Sequence, residues 1–127
     1  MTPEAADHIE KAHRCLMRAR AILAVGICDV AAREAYLAAF HAAQALIAER
    51  VGRAAKTHRG VHVQFARLTK NEVRLDVELR QFLPKSYDMK ATTDYGLDPG
   101  IGVASEQAVW AIDTADRFIR CVRALLS

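Results

Sequence analysis

The chain has 127 residues, of which 52% are hydrophobic but only 6% aromatic, and it carries a net charge of +3. This length predicts a single domain, residues 1–127, with one core and with apolar helix surface that a second copy would cover. No apolar run approaches the roughly 18 residues that cross a membrane, and Glu4, Asp7 and Glu10 stand where a signal peptide would be basic and then apolar, so we expect a cytoplasmic protein.

The three cysteines exclude two further classes of protein. They are odd in number and form no Cys-x-x-Cys pair, so the sequence indicates neither a disulfide framework nor a zinc ribbon. We therefore expect Cys15, Cys28 and Cys121 to be buried free thiols.

The positive charge is concentrated in the middle of the chain. Residues 50–90 contain ten Lys and Arg against four acids, an excess of six positive charges, so the remainder of the chain sums to −3. The middle third is therefore the part of the chain to which an anion would bind. The alternative interpretation is a basic helix surface that serves only solubility.

Helical patterns begin at the start of the chain. Thr2 and Pro3 are typical of a helix cap and first turn, and apolar residues at helical spacing predict a first helix over about residues 3–25. A second helix, with Asp29 suited to cap it and Gly52 to close it, is predicted to end near residue 50. The two long helices are expected to form an antiparallel hairpin.

The second half of the chain predicts three more helices. The third runs from His58 to about Leu68, the fourth from Val73 to about Tyr87 with Pro84 kinking or splitting it, and the last covers about residues 105–126. Glycine, proline and aspartate predict a loop over Thr92–Gly102. No stretch has the period of a strand, so the predicted fold is an all-α up-and-down bundle of four main helices plus a short one.

The second helix and the turn after it carry the most specific pattern. The stretch that starts at Tyr36 is Tyr-Leu-Ala-Ala-Phe-His-Ala-Ala, and Lys56-Thr57-His58-Arg59-Gly60 follows in the turn. These residues resemble the HEPN family, which consists of small all-α domains of prokaryotes with a Tyr-x-x-x-Phe-His-Ala-Ala helix and a Lys-Thr-His-x-Gly turn. The resemblance extends over nearly the whole chain, including the first and last helices.

The resemblance implies a polar signature between the fourth and final helices. In the branch most similar to this chain the signature is Arg-x-x-x-Asp-Tyr, and the matching residues here are Lys90, Asp94 and Tyr95. The family's proposed chemistry is metal-independent RNA cleavage, which makes these three the candidate catalytic residues. Arginine donates two hydrogen bonds to a phosphate from a planar fork, whereas lysine supplies one flexible charge, so Lys90 weakens the case for cleavage.

Tyr95 has a second role that the resemblance implies. Some family members carry a tyrosine beside the active site that a partner nucleotidyltransferase adenylylates. The alternative for Tyr95 is a tyrosine that packs under the glycine- and proline-containing loop.

Lys56, His58, Arg59 and His41 are the candidate residues for binding nucleic acid or nucleotide. The first three lie in a basic turn that begins a helix, where phosphates bind readily. For His41 the alternative is an imidazole held in the core by one hydrogen bond. His58 and His62 have the four-residue spacing of a two-histidine metal site, but no third ligand is evident, so we expect neither a metal nor a cofactor.

Together these observations predict a HEPN-type toxin–antitoxin component that binds RNA or nucleotide in the basic cleft of a homodimer and that could cleave RNA without a metal. The alternative is a non-catalytic HEPN subunit that pairs with a minimal nucleotidyltransferase antitoxin. A nuclease requires a cation at Lys90, and a binding subunit does not. No membrane partner is expected.

Overall fold

A computed structural model of the protein describes residues 1–95 and 103–127, with side chains for 1–89 and 103–127. Its five α-helices are α1 (Pro3–Ala24), α2 (Cys28–Val51), α3 (His58–Leu68), α4 (Val77–Tyr95) and α5 (Ser105–Leu126). The two described ranges contain no strand, and the predicted all-α bundle of four main helices plus a short one is confirmed.

Helix α2 is the centre of the bundle and contacts each of the other four helices. Every residue from Ala42 to Ala48 is buried, so this part of α2 has no side that faces solvent. A helix enclosed on all sides is expected to be apolar all round, and the one polar residue of this stretch, Gln44, has hydrogen-bond partners. The small alanine side chain fits here because it lets neighbouring helices pack closely without leaving voids. The alanine-rich composition therefore positions the other helices around α2.

The outer helices present one buried face each to this centre. Their buried residues recur at helical spacing, as expected for amphipathic helices. In α1 the buried residues are Ala5, Ile9, Ala12, Cys15, Leu16 and Ala19. In α5 they include Ala108, Ala111, Ile112, Ala115, Phe118, Ile119 and Val122.

The first two helices end largely where the sequence predicts. Thr2 Oγ1 accepts a hydrogen bond from a backbone N–H of the first turn of α1 at 3.1 Å, and Gly52 ends α2 with a φ of +89°, which favours glycine. The prediction that Asp29 caps α2 is wrong, because α2 begins at Cys28. Asp29 instead lies in the first turn, where a carboxylate still stabilises the positive end of the helix dipole.

Helix α4 starts later than the sequence predicts. It begins at Val77 instead of Val73, because the Asp76 carboxylate accepts a hydrogen bond from the Leu79 N–H at 2.9 Å and so fixes the start of the helix. Pro84 lies inside α4 and does not end it. Pro84 is exposed, so water can reach the carbonyl that loses its N–H partner.

Helix α4 also extends further than predicted, to Tyr95. The residues from Thr92 to Tyr95 are therefore helical, and the prediction that Asp94 and Tyr95 lie in a loop is wrong. The rest of the predicted loop, residues 96–102, lies outside the described residues, as do the side chains of Lys90, Asp94 and Tyr95.

All three cysteines are free, with Cys15 buried and Cys28 and Cys121 half-buried. Within the described ranges, no helix combines the length and the apolar character needed to cross a bilayer.

Candidate functional site

The hydroxyl of Tyr36 is shared by two histidines of α3. Tyr36 lies on α2 with no solvent exposure, and its oxygen is 2.7 Å from His58 Nδ1 and 2.9 Å from His62 Nε2. Residues four apart lie on one face of a helix, so both imidazoles reach the same atom. A hydroxyl has a single proton, so Tyr36 donates to one imidazole and accepts from the N–H of the other. The two histidines thus provide the partners that a buried tyrosine requires.

The spacing of His58 and His62 therefore serves this tyrosine. In the part of the chain that the structure describes, no group of three His, Cys, Asp or Glu side chains is placed to hold a metal ion.

Two further rings enclose these three side chains. Tyr87 of α4 has its ring centroid 5.4 Å from that of Tyr36, 5.0 Å from that of His58 and 5.6 Å from that of His62. Phe40 of α2 lies 4.8 Å from His58 by the same measure. These five residues, termed here the histidine–tyrosine cluster, join α2, α3 and α4.

The cluster lies close to the part of α4 that carries the sequence signature. Lys90 follows Tyr87 by three residues of the helix, which is a rise of about 4.5 Å along its axis. The fold thus brings the histidines of α3 to the turn of α4 that leads into Lys90, although this chain has no histidine within seven residues after Lys90.

Burial determines the protonation of the cluster. It raises the pKa of Tyr36 well above the ordinary value of 10.0, with a smaller contribution from Tyr87, so the hydroxyl keeps its proton. Burial also lowers the pKa of His62 below the ordinary value of 6.5; the neighbouring His58 lowers it further, and Asp88 opposes the change. Tyr36 is therefore a donor at every physiological pH, and His62 is largely neutral.

Two glutamines hold the turn before α3. Gln44 of α2 donates from Nε2 to the Ala55 carbonyl at 3.2 Å, and Gln64 of α3 accepts from the Ala55 N–H at 3.3 Å. Gln44 Oε1 also accepts a hydrogen bond from His41 Nδ1 at 2.9 Å. Both backbone groups of Ala55 are therefore fixed next to Lys56, which positions the basic turn.

His41 itself also faces α1. Burial lowers its pKa, the hydrogen bond to Gln44 opposes this, and the charges of Lys11 and Arg18 on α1 lower it further. His41 thus lies on the α1 side of α2, whereas His58 lies on the side of α3 and α4.

The start of α3 requires a threonine and a glycine together. Thr57 Oγ1 accepts a hydrogen bond from the Gly60 N–H at 3.0 Å and caps the helix. A Cβ atom on residue 60 would lie 2.7 Å from Thr57 Oγ1 and 3.0 Å from the Ala55 Cβ. Only glycine fits while Thr57 keeps its cap, which explains the Thr-His-x-Gly part of the motif.

Three exposed cations surround this helix start. They are Arg53, Lys56 and Arg59, termed here the basic-turn cations. Within the described side chains none of them has an ion pair or a hydrogen bond. The first turn of α3 contains no acid that would neutralise them.

Other cations of the same segment have structural partners. Arg74 pairs with Glu72 at 2.8 Å, Arg80 donates to the Thr69 carbonyl at 2.8 Å, and Arg50 donates to the Leu125 carbonyl at 3.2 Å. The excess charge of residues 50–90 is therefore available mainly where α3 begins and at a few separate surface positions.

A cavity of about 230 Å³ lies at the opposite end of α3, lined by Phe65, Ala66, Thr69, Lys70 and Arg80. The Arg80 guanidinium is already bound to backbone carbonyls there, so this end of the helix is a structural cap.

A family model of the HEPN domain matches residues 5–125. The match covers nearly the whole chain, and the protein belongs to the HEPN family. Membership associates the protein with nucleotide- and RNA-related roles. No curated protein matches the chain by sequence.

Three of the predicted binding residues, Lys56, His58 and Arg59, lie together where α3 begins, and His41 is connected to this turn through Gln44, which donates to the Ala55 carbonyl. It places the backbones of Lys90, Asp94 and Tyr95 in the last turns of α4. Sequence reasoning missed the roles of Tyr36 and His62. The signal was present, because a tyrosine within an alanine-rich buried helix needs a polar partner, and two histidines four residues apart can provide it.

We expect Thr57→Ala and Gly60→Ala to be strongly non-additive. Thr57→Ala removes the cap and costs about 1 kcal/mol. Gly60→Ala displaces the same cap but gains about 1 kcal/mol of helix propensity, so in a Thr57→Ala background the gain is opposed only by the 3.0 Å contact with the Ala55 Cβ. Urea denaturation of the four proteins measures this coupling. Additive free energies of unfolding would show that Gly60 is not required by the cap.

We expect stability to fall with acid through His62 and His41. The pKa of each is lowered in the folded state, so the unfolded chain binds protons first as the pH drops through 6.5. The contribution of these two histidines to the free energy of unfolding is therefore complete above that pH and decreases below it. Thermal melts between about pH 7.5 and pH 5.5 should show the decrease, with a shallower slope in His62→Gln. Equal slopes in the two proteins would contradict this origin.

Proposed function

We propose that this HEPN protein binds the phosphates of RNA or nucleotide at its basic turn, as a component of a toxin–antitoxin pair. The observation that carries the proposal is the arrangement of Arg53, Lys56 and Arg59. These cations are exposed, have no partner among the described side chains and flank a helix start without acids.

The local backbone supports the same ligand. The N-terminus of a helix carries a partial positive charge and unsatisfied N–H groups, which favour an anion. Thr57 uses its side chain for one of these groups and leaves the remainder of the first turn available. The glutamine contacts of Ala55 hold the turn in place before a ligand arrives, so little conformational entropy is lost on binding.

A cleavage site is proposed on α4, with Lys90, Asp94 and Tyr95 as its residues. Lys90 and Asp94 are one helical turn apart, and the histidine–tyrosine cluster packs against the preceding turn. In this proposal Lys90 binds the scissile phosphate and Asp94 is the base. We also propose a homodimer, supported by the apolar side chains of Met17, Val25 and Ile27, which are exposed on α1 and at its end.

A second candidate function is a non-catalytic HEPN subunit that pairs with a minimal nucleotidyltransferase. Lysine at position 90 favours this candidate, because it lacks the planar fork with which arginine holds two phosphate oxygens. RNA that is bound but left intact by the protein would support the second candidate over a nuclease.

The binding proposal predicts that two double variants, each lacking two positive charges, differ in RNA affinity and in its dependence on salt. Lys56→Ala with Arg59→Ala should weaken single-stranded RNA binding about tenfold or more and reduce the slope of log affinity against log salt by about 1.4, since two phosphate contacts are lost. Arg67→Ala with Lys70→Ala removes the same charge from the other end of α3 and should change both values little. Fluorescence anisotropy of a labelled oligonucleotide across a salt series provides the measurement.

Equal losses in the two double variants would mean that only net charge matters. No binding by the wild-type protein at low salt would contradict the proposed function.

A further inference from the structure

The Tyr36 hydroxyl connects the two histidines through different ring atoms. It forms hydrogen bonds with Nδ1 of His58 at 2.7 Å and with Nε2 of His62 at 2.9 Å. These three side chains, termed here the proton chain, reach the basic turn through His58, the first residue of α3, which stands between Lys56 and Arg59 in the sequence. The arrangement restricts where the protons of both imidazoles can be.

Two neutral arrangements keep both hydrogen bonds. If Tyr36 donates to His58 Nδ1, then His58 carries its proton on Nε2, and His62 must donate from Nε2. If Tyr36 donates to His62 Nε2, then His62 carries its proton on Nδ1, and His58 must donate from Nδ1. In either arrangement the two rings have the same tautomer, so the tautomer of one histidine determines that of the other.

The chain can also accept one proton without breaking either hydrogen bond to Tyr36. In the first arrangement a proton from water adds to His62 Nδ1, and in the second it adds to His58 Nε2. The two charged forms interconvert when His62 Nε2 passes its proton to the Tyr36 oxygen and Tyr36 passes its own to His58 Nδ1. The charge thus moves from one histidine to the other along existing hydrogen bonds, and no side chain has to rotate.

Two features of the free protein disfavour this proton. The positive end of the α3 dipole lies at His58, and burial disfavours a charge on His62. Among the described residues, α4 contributes the Tyr87 ring and the carboxylate of Asp88, which favours a charge on His62, while α2 contributes the neutral Tyr36. A phosphate bound at the basic turn would favour a charge at the His58 end, because it brings negative charge to the helix start where His58 lies.

We propose that the His58–Tyr36–His62 chain takes up a proton when a nucleic-acid phosphate binds at the basic turn, and that the resulting charge is placed on His58. The proposal rests on the proposed function for its ligand, and on the hydrogen-bond geometry alone for its linkage of the two tautomers. His58 is the end of the chain nearest the ligand, and Tyr36 and His62 are positioning residues. RNA affinity should consequently increase as the pH falls from about 8 to about 6.

The linkage can be tested without any ligand. Long-range nitrogen–proton NMR spectra of the imidazoles of the full chain at about pH 8 report which nitrogen of each neutral ring carries the proton. We expect His58 and His62 to show the same tautomer, or the same mixture of the two. A Tyr87→Phe variant, which keeps the ring contacts of the cluster, should leave this equality unchanged. Opposite tautomers in the wild-type protein would overturn the proposal.

Proton uptake can be tested with a single-stranded RNA oligonucleotide. Calorimetric titration at about pH 7 in two buffers with different ionisation enthalpies measures the protons taken up on binding. We expect uptake of a fraction of a proton by the wild-type protein and by Tyr87→Phe. Tyr36→Phe should still bind RNA but with that uptake largely lost, because a charged His58 would then lose the acceptor that Tyr36 provides for its Nδ1–H.

The outcomes separate this inference from the proposed function. RNA binding with equal proton uptake in Tyr36→Phe and the wild-type protein would overturn the inference and leave the proposed function intact. The absence of RNA binding in the wild-type protein and in both variants would contradict the proposed function. The NMR measurement would then still show whether the tautomers of His58 and His62 are linked. If Tyr36→Phe does not fold, RNA binding without proton uptake by the wild-type protein would still overturn the inference.

Discussion

The shared hydroxyl of Tyr36 is the contact on which the rest of the site depends. Helix α3 has 11 residues, a length at which an isolated helix is marginal in water, and it buries only Val61 and Phe65 against the core. Its position therefore relies on polar contacts with α2, and the two hydrogen bonds to Tyr36 are the shortest of these. The basic-turn cations lie where they do because α3 is held in this way.

The same contact explains why the site contains so many buried polar groups. Burying a hydroxyl without partners costs about 1–3 kcal/mol, so Tyr36 stabilises the fold only together with both histidines. Burial keeps Tyr36 protonated and favours neutral His62, and the fold thereby holds a hydrogen-bonded chain next to a cluster of positive charge. Stability and protonation are consequently linked through one atom, and we propose that anion binding is linked through the same atom.

The sequence predicts most of the helices, but less of the site. Helical periodicity and glycine placed α1, α2, α3 and α5 to within a few residues, because these signals are local. The start of α4 was missed because Asp76, which has the residue type of a cap, follows the apolar residues Val73 and Leu75, which suggested an earlier start. The bonds of Tyr36 join residues 22 and 26 positions apart, and no local pattern specifies such a pairing. The resemblance to the HEPN family identified the residues of the turn, while their packing required the structure.

Hydrogen exchange of Tyr36→Phe tests most directly whether the tyrosine hydroxyl holds α3 in place. We predict that the amides of α3 lose protection while those of α1 and α5 keep theirs, because the hydroxyl supports α3 alone and the variant retains the buried ring. Tyr87→Phe is the matched control, since it removes a hydroxyl from the same cluster and leaves both bonds of Tyr36 in place. Unchanged protection of α3 in Tyr36→Phe, or an equal loss in both variants, would contradict the account.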